Sequence, residues 1–254
     1  MTQTLRSWPY AGFQPYYANG LRISNNAGTP NTKLDVATGS CMDSTETFQL
    51  ILGTAVTINA ANTGLNGIDT GALAASTVYA VHLVCDPQTL QTAGCMISLS
   101  STAPLLPFGY SAFALIGYVT TDASVHFLKG YWSAGNSSTR LFMYDAPQAT
   151  AVTAGAATTY TAVVLTAFVP AVDNLPVYIN TSFTPGAASR VLKLQPGGAT
   201  GDAIVITGQV TSVVVTSQSF LFSKLVTAAP NISYLVSNAG DAAAINVAGY
   251  QFYI

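Results

Sequence analysis

Charge is what this chain lacks. Asp, Glu, Lys and Arg make up 7% of its 254 residues, against roughly a quarter in ordinary soluble domains. Four Lys and four Arg are scattered along the chain. No basic patch can be assembled from them, so nucleic-acid binding by phosphate neutralisation is not expected. Nine Asp and a lone Glu46 bring the formal net charge to −2. A free monomer keeps itself in solution with charge, and a weakly charged surface favours association. With 50% hydrophobic residues, much of this surface is expected to face other protein chains.

Histidine is almost as scarce. His82 lies in "YAVHLVC" and His126 in "ASVHFLKG". Neither belongs to a His-x-His or His-x-x-x-His pair, so no zinc site is expected. The three cysteines, Cys41, Cys85 and Cys95, lack Cys-x-x-Cys spacing. Cys85 and Cys95 flank "DPQTLQTAG", which reads as a hairpin loop, and either a disulfide across it or buried free thiols fits the sequence. No secretory signal is read in "MTQTLRSWPYAGF". Gly-x-Ser-x-Gly, Walker and Gly-x-Gly-x-x-Gly patterns are missing. Seven Asp residues (Asp43, Asp69, Asp86, Asp122, Asp173, Asp202 and Asp241) occupy turn-like positions, where the side chain bonds nearby backbone N–H groups. No catalytic residue is assigned.

The run "AIVITGQVTSVVVTSQSFLFS", residues 203–223, holds no charge over 21 positions. A spanning helix needs about 20 predominantly apolar residues, and here Thr, Ser, Gln and Gly interrupt at short intervals. Short β-branched pieces of this kind predict strands and turns, and no membrane span.

What the chain has in abundance is strand pattern with turn punctuation, and it has almost no helical stripe. The first half predicts strands at Leu21–Ser24, Lys33–Val36, Phe48–Leu52, Val56–Ile58, Val78–Cys85, Gly94–Ser98, Ala112–Thr120, Val125–Lys129 and Thr139–Met143. The second half predicts Tyr160–Val169, Pro176–Phe183, Ser189–Leu194, Ala203–Thr207, Thr211–Thr216, Ser219–Val226, Ser233–Ser237 and Ala244–Ile254. Many short strands without crossover helices mean an all-β protein, mostly antiparallel. A sandwich usually takes seven to nine strands. The expectation is therefore two antiparallel β-sandwich or jelly-roll-like domains in tandem, residues 1–145 and 146–254, joined by a small, polar linker from Asp145 to Thr159. The segment "SWPYAGFQPYYANG" gathers Trp8, Tyr10, Phe13, Tyr16 and Tyr17. Within an N-terminal stretch 1–20, it reads as an aromatic arm docking on a partner, as a sugar-stacking ledge, or as a strand packed on its own domain.

Three stretches carry a family likeness: "YANGLRISNNAGTPNTKLDVATGSCMDST" (17–45), "GLNGIDTGALAASTVYAVHLV" (64–84) and "LPFGYSAFALIGYVTTDASVHFL" (106–128). In this order they resemble accessory virion proteins of tailed bacteriophages, of the tail-fibre, head-fibre or capsid-decoration type. The resemblance implies a non-enzymatic building block without cofactor, made in the host bacterial cytoplasm and carried on the virion. It further implies self-association, commonly as a homotrimer, and docking on capsid or tail proteins. A host-receptor or carbohydrate-binding adhesin module, with a host surface glycan as partner, is the alternative. Family members often carry an extra aromatic after "AST" and basic residues after "GY". Here Val78 and "SAFAL" stand there, which makes this strand more apolar.

Overall fold

The computed structural model describes residues 17–88, 93–133, 139–149, 152–201, 204–226 and 229–253. Among them there is no helix. The protein is all-β, with several antiparallel sheets. The chain forms two compact units, one comprising residues up to Phe142 together with Phe252–Ile254, the other Met143–Gln251.

The first unit opens with six short strands: β1 (Ala18–Gly20), β2 (Ile23–Asn25), β3 (Lys33–Val36), β4 (Gly39–Met42), β5 (Gln49–Leu52) and β6 (Val56–Asn59). Longer ones follow: β7 (Val78–Cys85), β8 (Gly94–Ser98) and β9 (Ala112–Thr120), then β10 (Gly130–Trp132) and the start of β11 (Thr139–Ala149). They lie in three sheets, ordered β1-β4-β5, β10-β2-β3-β6 and β8-β7-β9. Turn chemistry sets the β2–β3 hairpin. Asn26 Oδ1 accepts bonds from the Gly28 and Thr29 amides at 3.1 and 3.0 Å, and its Nδ2 donates to Asp35 across the hairpin at 3.0 Å. Where β1 crosses β4, Gly20 takes φ +67°. A Cβ on Gly39 would overlap the Asn19 carbonyl and the Leu21 amide, so β1 and β4 meet at this distance through glycine.

β7 is the middle strand of its sheet, and both its faces are buried. Tyr79, Val81 and Leu83 are buried on one, Ala80, His82 and Val84 on the other. That two-sided burial explains an apolar run without polar alternation. Leu21, Ile23, Leu34, Leu50, Leu52, Ile58 and Ile97 complete the core of this unit. Trp132 joins it with its Nε1–H donating to the Tyr118 carbonyl at 3.0 Å. Its ring packs on Phe142 at 4.7 Å between centroids.

The second unit holds the rest of β11, then β12 (Thr161–Val164), β13 (Leu175–Thr184), β14 (Arg190–Pro196), β15 (Ile204–Gly208), β16 (Val215–Val226), β17 (Ala229–Val236) and β18 (Ala242–Tyr253). Their order is β15-β14-β17-β16-β13-β18, with β12 also on β17. β13 alternates without exception between buried and half-buried positions. Val177, Ile179, Phe183, Leu192, Leu194, Ile232, Ile245 and Val247 are fully buried and form the core of this unit. β15 ends the sheet with Val205 turned to solvent, and Val210, Val213 and Val214 beyond it are exposed too.

Several expectations change. Val125–Lys129 is not a strand: Val125 sits at φ +65°, in a turn closed by Asp122 Oδ1, which accepts the Ser124 and His126 amides at 2.8 Å each. Side-chain capping outweighs the β propensity of a lone valine there. The strand expected to stop at Met143 runs on to Ala149. The first part of the expected linker is thus strand, with Asp145, Ala146 and Pro147 exposed; small polar residues suit a solvated strand as well as a coil. Gly155 then exchanges two hydrogen bonds with Ala243, at 2.7 and 2.9 Å. Tyr160–Val169 yields the four residues of β12, because a turn follows in which Phe168 N–H bonds the Leu165 carbonyl. The expected strands Thr211–Thr216 and Ser219–Val226 resolve into a turn and one long β16. β1 and β4, short and containing glycine, escape a reading by apolar pattern.

The cysteines are free. Register places Cys95 opposite Leu83 and Gly94 opposite Val84, so Cys85 and Cys95 are not paired across the hairpin and a disulfide would need a shifted strand.

Candidate functional site

Each buried carboxylate of the first unit holds its own loop. Asp43 Oδ1 accepts the Thr47 and Phe48 amides at 2.7 and 2.8 Å, and Oδ2 accepts the Thr45 hydroxyl at 2.6 Å. Asp86 receives the Gln88 amide at 3.1 Å and the Ser111 hydroxyl at 3.0 Å. Asp241 does the same in the second unit, receiving the Gly186 and Asn238 amides at 2.8 and 3.0 Å. With their lone pairs occupied by neighbouring donors, these groups act as turn clamps.

His82 is fully buried, and its Nε2–H donates to the Ser100 carbonyl at 2.9 Å. Burial holds its imidazole below the usual range, while the Ser100 carbonyl and the Asp69 charge act the other way. Burial thus favours the uncharged ring, which packs edge-on against Phe113 at 5.5 Å between centroids. His126 is exposed beside Asp122, with Nδ1 3.7 Å from its carboxylate. Among the described residues no group of three or more His, Cys, Asp or Glu could hold a metal ion. No helix among them is long and apolar enough to cross a membrane.

Of the five arm aromatics, Trp8, Tyr10, Phe13 and Tyr16 lie outside the described residues. Tyr17 is half-buried, its carbonyl accepting the Met42 amide at 3.1 Å. It lines a cleft of about 340 Å³ with Cys41, Met42, Phe113 and Leu115. Burial pushes the Cys41 thiol up to about 12, with Arg140 opposing and Asp43 adding to the shift. A thiol so placed is not a nucleophile. Asp43, Ser44, Glu46, Ser101 and Thr102 line the same cleft, so its walls mix apolar and polar residues.

The most distinctive surface of this unit is the loop between β8 and β9. Leu99, Leu105 and Phe108 are 68%, 63% and 103% exposed, yet the loop is tightly held. Ser98 Oγ and the Leu105 amide donate to Asp69 Oδ2 at 2.6 and 3.2 Å. The Ala103 amide donates to Ser100 Oγ at 2.9 Å, and Tyr110 N–H closes a turn onto the Pro107 carbonyl at 3.1 Å. An aromatic side chain is thus presented to solvent on a pre-formed support. The sequence "APLLPFG" was legible as a turn; its signal for function was leucine and phenylalanine where turns usually carry polar residues.

In the second unit the outer face of β16, β13 and β18 carries Tyr178, Asn180, Ser182, Thr216, Gln218 and Asn246, and two shallow grooves run along it. Among the described residues, none that lines either groove carries a formal charge.

No family model matches the chain, and neither a curated protein nor a solved structure matches it.

Proposed function

We propose that this chain is a structural component of a bacteriophage particle, a capsid-decoration, head-fibre or tail-fibre protein that works by self-assembly and docking rather than by a reaction. The observation that carries this reading is the Leu99–Phe108 loop. Phe108 stands wholly in water on a loop clamped by Asp69, within a chain that is 7% charged. Leaving a phenylalanine exposed forgoes about 1.5–3 kcal/mol that burial would supply. A rigid apolar knob loses little conformational freedom when a partner covers it. The carboxylates, already engaged by their own loops, serve the same end by stiffening the surface.

In this reading the two units are sandwich- or jelly-roll-like domains in tandem. The protein is made in the host cytoplasm, assembles as a homotrimer, and docks on capsid or tail proteins. The aromatic segment Trp8, Tyr10, Phe13, Tyr16 and Tyr17 acts as a docking arm. The sequence likeness to accessory virion proteins supplies the choice of particle; the exposed loop supplies the need for a neighbour.

Light scattering on the full chain tests it. The expected result is a trimer whose subunits each bury enough to exceed about 1,000 Å² per interface, and which co-sediments with particles. A stable monomer that binds no particle overturns the reading.

A further inference from the structure

In β13, Ile179, Thr181 and Phe183 point into the core, leaving Tyr178, Asn180 and Ser182 on the outer face. Register places Gln218 of β16 and Asn246 of β18 on either side of Asn180, and Thr216 beside Ser182. Three primary amides therefore form one row across three strands, each about 4.8 Å from the next by strand spacing. Among the described residues, no hydrogen bond is made by these three amide groups or by the Ser182 and Thr216 hydroxyls. Grooves of about 400 and 370 Å³ flank the row, and Asn180 and Gln218 line both. The second groove adds Tyr144, Pro147 and Tyr178. The Tyr178 hydroxyl reaches Gln251 Oε1 at 3.4 Å.

These grooves select their occupant by elimination. A charged ligand would shed water against walls whose described residues carry no countercharge. An apolar one would strip water from three amides and leave their N–H and C=O groups unsatisfied. An uncharged polyol meets both conditions. Each primary amide offers two donors and an acceptor, and a hydroxyl group both gives and takes. The tyrosine ring beside the row offers an apolar platform with a polar tip, suited to the C–H face of a sugar. We propose that the outer face of the β16-β13-β18 sheet binds a neutral carbohydrate, with Asn180, Gln218 and Asn246 reading hydroxyls and Tyr178 stacking on a ring. This goes beyond particle assembly, which rests on Phe108, so the two can fail separately.

The test uses the full chain on an array of neutral hexose and N-acetylhexosamine oligosaccharides, with titration calorimetry on any oligosaccharide retained. At least one is retained, with an affinity that stays constant from about 0.05 to 0.5 M salt because no ion pair is screened. The double variant N180A/Q218A lowers that affinity about tenfold or more. Tyr178→Ala also lowers it, whereas Tyr178→Phe leaves it within about twofold. All variants keep the parent melting temperature within a few degrees, since the positions lie on the outer face. The proposal is overturned if no neutral oligosaccharide is retained, if acidic glycans alone bind, or if N180A/Q218A binds as well as the parent. It is equally overturned if N180A/Q218A changes the mass in solution, since the face would then be a contact between copies.

Discussion

The hydroxyl of Ser98 donates to the carboxylate of Asp69 across 2.6 Å, with both side chains withdrawn from solvent. The two residues lie 29 positions apart, and the bond anchors the start of the apolar loop while the Leu105 amide anchors its far side on the same oxygen. Asp69→Ala removes both anchors and leaves the Ser98 O–H without its acceptor in the interior, although its oxygen still accepts the Ser100 amide at 3.0 Å. The expected cost is about 2–3 kcal/mol, read as a lower urea midpoint. A midpoint equal to the parent's would show that the clamp carries no stability.

Phe108→Asp should act on association and leave the fold alone. The side chain touches water on every side, so the urea midpoint should stay within about 0.5 kcal/mol of the parent. The mass by light scattering should fall to that of the single chain. An unchanged oligomer would remove Phe108 from the interface.

His82 makes stability depend on pH with a definite sign. Burial depresses its folded-state pKa below the ordinary 6.5, so the unfolded chain takes up a proton that the folded chain refuses. Stability from this residue is complete above about pH 7 and falls as pH drops through 6.5 toward the folded value. The slope cannot exceed about 1.4 kcal/mol per pH unit. Urea titrations between pH 7.5 and 5 should show the decline, and His82→Leu should flatten it.

Arg140 is 1% exposed; its Nη2 donates to the Gly20 carbonyl at 2.8 Å, while Nε finds no partner among the described residues. A buried cation held by a carbonyl is often no more stable than a well-packed apolar side chain. Arg140→Met should therefore match or exceed the parent in thermal stability. Arg140→Ala, which leaves a cavity, should cost about 2–4 kcal/mol. A large loss for the methionine variant would show the guanidinium to be worth more than its volume.

Thiol labelling should separate the cysteines. Cys41 and Cys95 are buried, and burial pushes both thiols up; Cys85, also raised by burial and by Asp86, is only half-buried and therefore the most accessible of the three. In the native protein at about pH 8, an alkylating reagent should modify Cys85 first, with the other two waiting for unfolding. Three equally fast thiols would contradict the burial.

How much of this was legible in the sequence depends on which physical signal each segment carries. β7 and β9 announce themselves as continuous apolar runs, and β3, β8 and β14 through strand-forming residues bounded by turns. β1 and β4 are three- and four-residue strands built around glycine, held by their partners and not by any pattern of their own. Val125 reads as strand until the Asp122 carboxylate is seen bending the chain beneath it. The carboxylates were readable as turn residues because an Asx turn is a local event. The amide row was not, since Asn180, Gln218 and Asn246 become neighbours through strand register, which no single segment encodes. Phe108 could be placed in a turn from "APLLPFG", but its full exposure follows only from how the loop is held.

β15 carries a consequence for handling the protein. It closes its sheet with five residues that include no lysine and no proline, followed by three solvent-facing valines. Such a margin invites another chain's strand to zip alongside. The free chain is thus open to strand-by-strand aggregation, at a rate set by concentration and time. Dilute, cold preparations, or a single lysine placed at Val205, should lengthen the soluble lifetime of the free chain.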